Sequence, residues 1–188
     1  MKKLPVKPNP WQTLTEEKVF ETPWIAVHKY DVINPSGNPG LYAITKFKNL
    51  AIGVLPLDKD YNTWLVGQYR FPLNEYSWEI PEGGGNPEID PQVSAARELK
   101  EETGIIASTY TLIQEMQLSN SATNEYCYLY LAQDLVFEES EPEDDEQLEI
   151  IKLPFEELYQ RVCNGEIKDS LTVAAVLKVK LMLLEGKI

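Results

Sequence analysis

The stretch Gly83-Gly84-Gly85-Asn86-Pro87-Glu88-Ile89-Asp90-Pro91-Gln92-Val93-Ser94-Ala95-Ala96-Arg97-Glu98-Leu99-Lys100-Glu101-Glu102-Thr103-Gly104-Ile105 sets a glycine loop before a short segment of helical pattern. At about 100° per residue, Ser94, Arg97, Glu98, Glu101 and Glu102 share one arc, and Val93, Ala95, Ala96, Leu99 and Thr103 the opposite one. Asp90 suits the N-cap, Pro91 the first helical position and Gly104 a left-handed stop. The spacing therefore predicts an amphipathic helix, buried on its small apolar side. The acidic arc is poorly placed for stability. Glu98 and Glu102 repel at i,i+4, and Glu101 and Glu102 lie in the last turn, where the helix dipole disfavours negative charge. Each effect is only a few tenths of a kcal/mol, so a solvated face could tolerate both. Three carboxylates beside one arginine, framed by glycines, point instead to a hard divalent cation with oxygen ligands, Mg²⁺ or Mn²⁺.

Outward from this stretch, the bounds are those of a globular chain. A length of 188 residues suits one domain, with room for a small N-terminal appendage. A net charge of −13 disfavours broad nucleic-acid or anionic-membrane binding. An anionic ligand would then be received through metal ions and a few local Arg or Lys side chains. Cys127 and Cys163 form no C-x-x-C and read as reduced thiols. Pro5, Pro8 and Pro10 follow Lys2 and Lys3 where a signal peptide would be apolar, and no apolar run is long enough to span a bilayer. The expectation is a cytoplasmic protein.

Residues 1–15 read as loosely held, and the alternation from Lys18 to Ile33 as two short strands. Asn34 to Gly40 is a turn cluster. Strands are expected at 41–48, 50–57 and 63–70, then near 109–118 and 126–133, with Ser119 to Glu125 a polar loop. After the acid-rich run Glu138 to Glu149 come a strand at 148–153, a helix from Pro154 to Cys163 and a last helix from Ser170 to Leu184. Strands with interspersed helices and no βαβ rhythm predict an α+β architecture with a mixed sheet between helical layers. His28, the one histidine, lies in an alternating strand with no nearby nucleophile, and Gly83-Gly84-Gly85 lacks the Gly-Lys-Ser/Thr of a P-loop.

Residues 83–105 resemble the Nudix box, G-x5-E-x7-R-E-U-x-E-E-x-G-U with U a bulky aliphatic. Gly83, Arg97-Glu98-Leu99, Glu101-Glu102 and Gly104-Ile105 match it, and Ile89 stands where a glutamate is expected, between Glu88 and Asp90. In the family that glutamate typically supports the arginine. The preceding Gln68-Tyr69-Arg70-Phe71-Pro72 and Glu79-Ile80-Pro81-Glu82-Gly83-Gly84 look like the branch that hydrolyses ADP-ribose and nucleoside-diphosphate sugars.

The resemblance implies a Nudix fold, an α/β/α sandwich spanning 44–188, with a β appendage over 1–43 that dimerises. It implies metal binding by Glu98, Glu101, Glu102 and the Glu82 carbonyl, with Arg97 bracing the carboxylates. Arg70 would hold a phosphate, with a surface ion pair as its alternative, and Glu125 would lie near a second metal or the sugar phosphate. In the acidic run Glu146 falls on the position of the catalytic base, with Glu143 and Asp145 as substitutes. The implied activity is metal-dependent cleavage of ADP-ribose, or else of GDP-mannose or a UDP- or ADP-hexose. Because Ile89 breaks the box, the alternative is a non-catalytic module that binds a nucleotide sugar. The exposed aromatics expected in residues 1–48 predict a homodimer.

Overall fold

The structure, a computed structural model, describes residues 3–138 and 148–188. The chain divides into two compact units, residues 1–48 with 119–124, and residues 49–118 with 125–188.

The first unit is an antiparallel sheet of β1 (Gln12–Glu21), β2 (Ile25–Ile33) and β3 (Pro39–Phe47), in that order. Only the C-terminal part of residues 1–15 departs from its expected looseness: β1 begins at Gln12, which pairs with Ile33. Pairing with β2 satisfies its backbone although every residue of β1 is exposed, so burial periodicity carried no signal there. The turn at 34–40 is built as its composition demands. The Asn34 side chain accepts from the amides of Ser36 and Asn38, and Gly37 takes φ 83°, which costs glycine nothing.

The second unit carries a mixed four-stranded sheet in the order β7 (Glu82–Gly85), β4 (Leu50–Pro56), β9 (Tyr126–Phe137), β8 (Ile105–Gln117). The β4–β9 pair is parallel and the other two are antiparallel. A three-stranded antiparallel sheet runs β10 (Glu149–Pro154), β5 (Asn62–Arg70), β6 (Glu75–Glu79). The helices are α1 (Pro91–Thr103), α2 (Phe155–Cys163) and α3 (Ser170–Leu184). This is the α+β arrangement the sequence predicts.

Successive side chains of a strand point to opposite faces, and the central strands use both. Ile52 and Val54 of β4, with Tyr130 and Ala132 of β9, join Ala95 and Leu99 of α1 in one core. Leu55, Leu57, Cys127, Leu129 and Leu131 join Leu158, Leu171, Ala175 and Val179 of α2 and α3 in the other. A sheet buried on both faces reads as a continuous apolar run, as Leu50 to Leu57 does. Strand β7 escaped the sequence reading because Glu-Gly-Gly-Gly has no strand periodicity, whereas Glu-Tyr-Ser-Trp-Glu of β6 does alternate polar and aromatic residues and was passed over within a longer motif. Among the described residues no helix is long and apolar enough to cross a membrane.

Candidate active site

Helix α1 starts and stops where its sequence dictates. Asp90 accepts from the Gln92 amide at 2.9 Å, Pro91 opens the helix, and Gly104 closes it at φ 68°, its amide bonding to the Lys100 carbonyl. The buried face is not the one expected. Val93 is 59% exposed, whereas Ser94, Ala95, Glu98, Leu99 and Glu102 are buried. Two of the three carboxylates therefore lie in the interior and not on a solvated arc. A buried carboxylate costs several kcal/mol unless it is paired or binds a cation.

The partners come from β7 and from Arg97. Arg97 reaches Glu98 and Glu101 at 2.5 Å each and the Gly84 carbonyl at 2.9 Å. Burial alone would weaken its charge, but the two carboxylates outweigh this and raise its pKa. The Glu82 amide donates to Glu102 at 3.0 Å. A Cβ at Gly83 would lie 2.3 Å from the Glu98 carboxyl carbon, so only glycine leaves that carboxylate where it stands. The strand backbone and the helix carboxylates thus press against each other, and Glu98, Glu101 and Glu102 form a hard-oxygen donor set with Arg97 as its brace. This set fits a divalent cation. Asp90 is engaged as the helix cap through one carboxylate oxygen, and Ile89 itself is 46% exposed.

A second cluster adjoins the first through Glu82. The Arg70 Nε lies 3.0 Å from both oxygens of Glu79, and its Nη2 contacts Glu79 and, at 2.9 Å, Glu82. Glu79, Glu82 and Asp169 bring carboxylate oxygens within 4.8 Å of one another. The guanidinium already supplies a cation to this group. Although burial opposes it, Glu79 and then Glu82 and Asp169 hold Arg70 firmly charged. Glu82 is pushed up, by burial first and then by Asp169 and Glu79, and its Oε2 is buried with no hydrogen-bond partner among the described residues. Asp169 is also the N-cap of α3, accepting from the Thr172 amide, while the Thr172 hydroxyl accepts from the Ile80 amide at 2.9 Å. Arg70, Ser77, Glu79, Lys168 and Asp169 line a cavity of about 260 Å³.

Glu125 is half-buried, which raises its pKa. Its charge, with those of Glu82 and Asp169, acts on Cys127, whose thiol burial pushes up to about 12. The structure thus groups Arg97, Glu98 and Glu101 directly, joins Glu102 to Arg70 through Glu82, and sets Glu125 within electrostatic reach of Cys127. Glu146, with Glu143 and Asp145, lies outside the described residues. Sequence reasoning missed Glu79 and Asp169 as parts of the site. Glu79 lay in the quoted Glu79-Ile80-Pro81 motif, but Asp169 carried only the signal of a helix cap.

Comparison with known proteins agrees with this geometry. The NUDIX domain profile matches residues 47–172, and the chain belongs to the Nudix family. An ADP-ribose pyrophosphatase of Bacillus subtilis is 31% identical over 167 residues, 88% of this chain and 90% of the relative. A methanol dehydrogenase activator of Bacillus methanolicus is 30% identical with the same coverage. An ADP-ribose pyrophosphatase of Mycobacterium tuberculosis is 29% identical over 90% of this chain and 83% of the relative. The crystal structure of an ADP compounds hydrolase superposes with a TM-score of 0.85 at 21% identity, covering 98% of this chain and all of that one, which shows the shared fold.

Proposed function

We propose that the protein is a divalent-metal-dependent pyrophosphohydrolase that cleaves ADP-ribose, or a related nucleoside-diphosphate sugar, to a nucleoside monophosphate and a sugar phosphate. The observation that carries this reading is the burial of Glu98 and Glu102 beside the partly exposed Glu101, with Arg97 bridging Glu98 and Glu101. A chain selected only for stability would not keep such a cluster. The names of the Bacillus and Mycobacterium pyrophosphatases support the substrate class.

Glu98, Glu101, Glu102 and the Glu82 carbonyl would hold Mg²⁺ or Mn²⁺, which when bound neutralises phosphate charge and lowers the pKa of a coordinated water. Arg97 keeps the carboxylates apart and oriented. Arg70 offers a fixed guanidinium to the diphosphate. Glu125 stands beside the sugar-phosphate end, and Glu146 takes the proton of the attacking water. The enzyme works in the cytoplasm as a homodimer. Exposed Phe20, Trp24 and Leu41 and the exposed strand β1 of the first unit support self-association.

A second reading, a binding or regulatory module, is favoured by Ile89 in the box and by a relative named as an activator. A panel of nucleotide sugars separates the two. Turnover of ADP-ribose with Mg²⁺ or Mn²⁺ is expected. A thermal shift with no turnover of any member would establish the binder.

A further inference from the structure

Two acids compete for one arginine, and they do so unequally. Glu79 grips the Nε edge of Arg70 with both oxygens at 3.0 Å and also contacts Nη2, and its side chain is 4% exposed. Glu82 touches the same Nη2 with a single oxygen. Among the described residues Nη1 makes no hydrogen bond. A two-point grip fixes both the plane and the direction of a guanidinium, whereas one contact fixes neither. It also closes the Nε–Nη2 edge, so a phosphate cannot dock there side by side and is left the Nη1 end.

We propose that Glu79 is a positioning residue for substrate: its main effect on the diphosphate runs through Arg70, presenting the Nη1 end of that guanidinium to a phosphate oxygen. The proposal rests on the reading of Arg70 as the phosphate-binding arginine. Two effects oppose each other when Glu79 loses its charge. A neutral residue makes the site less repellent to an anion, which lowers KM. The guanidinium is also released to wander and to pair with Glu82 or Asp169, whose carboxylates lie within 4.8 Å of that of Glu79, which raises KM. Glu79 is almost sealed from solvent while Arg70 is one-third exposed, so orientation is the larger loss.

The test is a double-mutant cycle with a nucleotide sugar that the wild type hydrolyses. Glu79→Gln is expected to raise KM about tenfold with kcat changed less than about threefold, the pattern of lost uniform binding. In an Arg70→Ala background the same change is expected to raise KM no further, since only the relief of repulsion remains once Arg70 is gone. An unchanged or lower KM in Glu79→Gln, or an equal rise in both backgrounds, overturns the proposal. Should Glu79→Gln fail to fold, Glu79→Asp keeps the charge and shortens the reach, and the same dependence on Arg70 is required of it. Should the wild type hydrolyse no nucleotide sugar, the enzymatic reading has failed. The cycle is then read as the Kd for ADP-ribose by calorimetry, which judges Glu79 alone.

Discussion

At the scale of the residue, the site is defined by what cannot be changed. Gly83 faces Glu98 so closely that a methyl group would sit 2.3 Å from the carboxyl carbon. The clash is with the end of a flexible side chain, so Gly83→Ala should fold while moving Glu98 out of the donor set. The expected result is a Tm within a few degrees of wild type and a kcat lower by about a hundredfold, the scale of losing one preorganised group. Unchanged kcat would remove Glu98 from the site. The two thiols make an independent check of burial. Cys127 is buried and raised to about 12, whereas Cys163 is exposed. One thiol should react with a disulfide reagent in the folded protein and two after denaturation. Two fast thiols in the native state would mean that the core around Cys127 is open.

Glu82 gives a pH dependence with a definite sign. Its folded pKa lies well above the ordinary 4.5, because burial and the neighbouring acids oppose its charge. A raised carboxyl pKa contributes stability below the unfolded value and loses it as pH climbs toward the folded one. In chelator, wild type should therefore lose stability relative to Glu82→Gln as pH rises from about 4.5 toward neutrality. Parallel stability curves for the two proteins would show that Glu82 ionises normally.

At the scale of the element, local chemistry explains what was legible. The ends of α1 were readable because Asp90, Pro91 and Gly104 each satisfy a stated backbone need. Loss of the cap in Asp90→Ala should cost about 1 kcal/mol by denaturant titration. The orientation of α1 was not readable. Apolarity pointed to Val93 as buried, but the acids Glu98 and Glu102 turn inward to meet the Glu82 amide and the backbone at Gly83. Site chemistry overrides the hydrophobic pattern, as it does where function and stability conflict. The central strands were readable from their apolar runs and β6 from its alternation, which was passed over, while β7 was visible only as a motif. Asp169 could not be foreseen at all, because its approach to Glu79 depends on how α3 docks at Ile80, a contact 92 residues apart in the chain.

At the scale of the whole molecule, a chain of net charge −13 must receive an anion. In the proposed mechanism, cations held by the acids of α1 reconcile the two, and metal and substrate act together. For the proposed self-association through the first unit, sedimentation at micromolar concentration should give about twice the 21.5 kDa chain mass, and a species at 21.5 kDa would refute the homodimer. The central claim is tested most directly by the rate at which ADP-ribose yields AMP and ribose 5-phosphate with Mg²⁺ or Mn²⁺, for wild type, Glu101→Gln and Glu102→Gln. Turnover by wild type is expected, with a loss of about a hundredfold or more in each variant, since each removes a carboxylate of the proposed metal site. Each variant should melt no lower than wild type in chelator, since like-charge repulsion is relieved. Equal rates in all three proteins would contradict it.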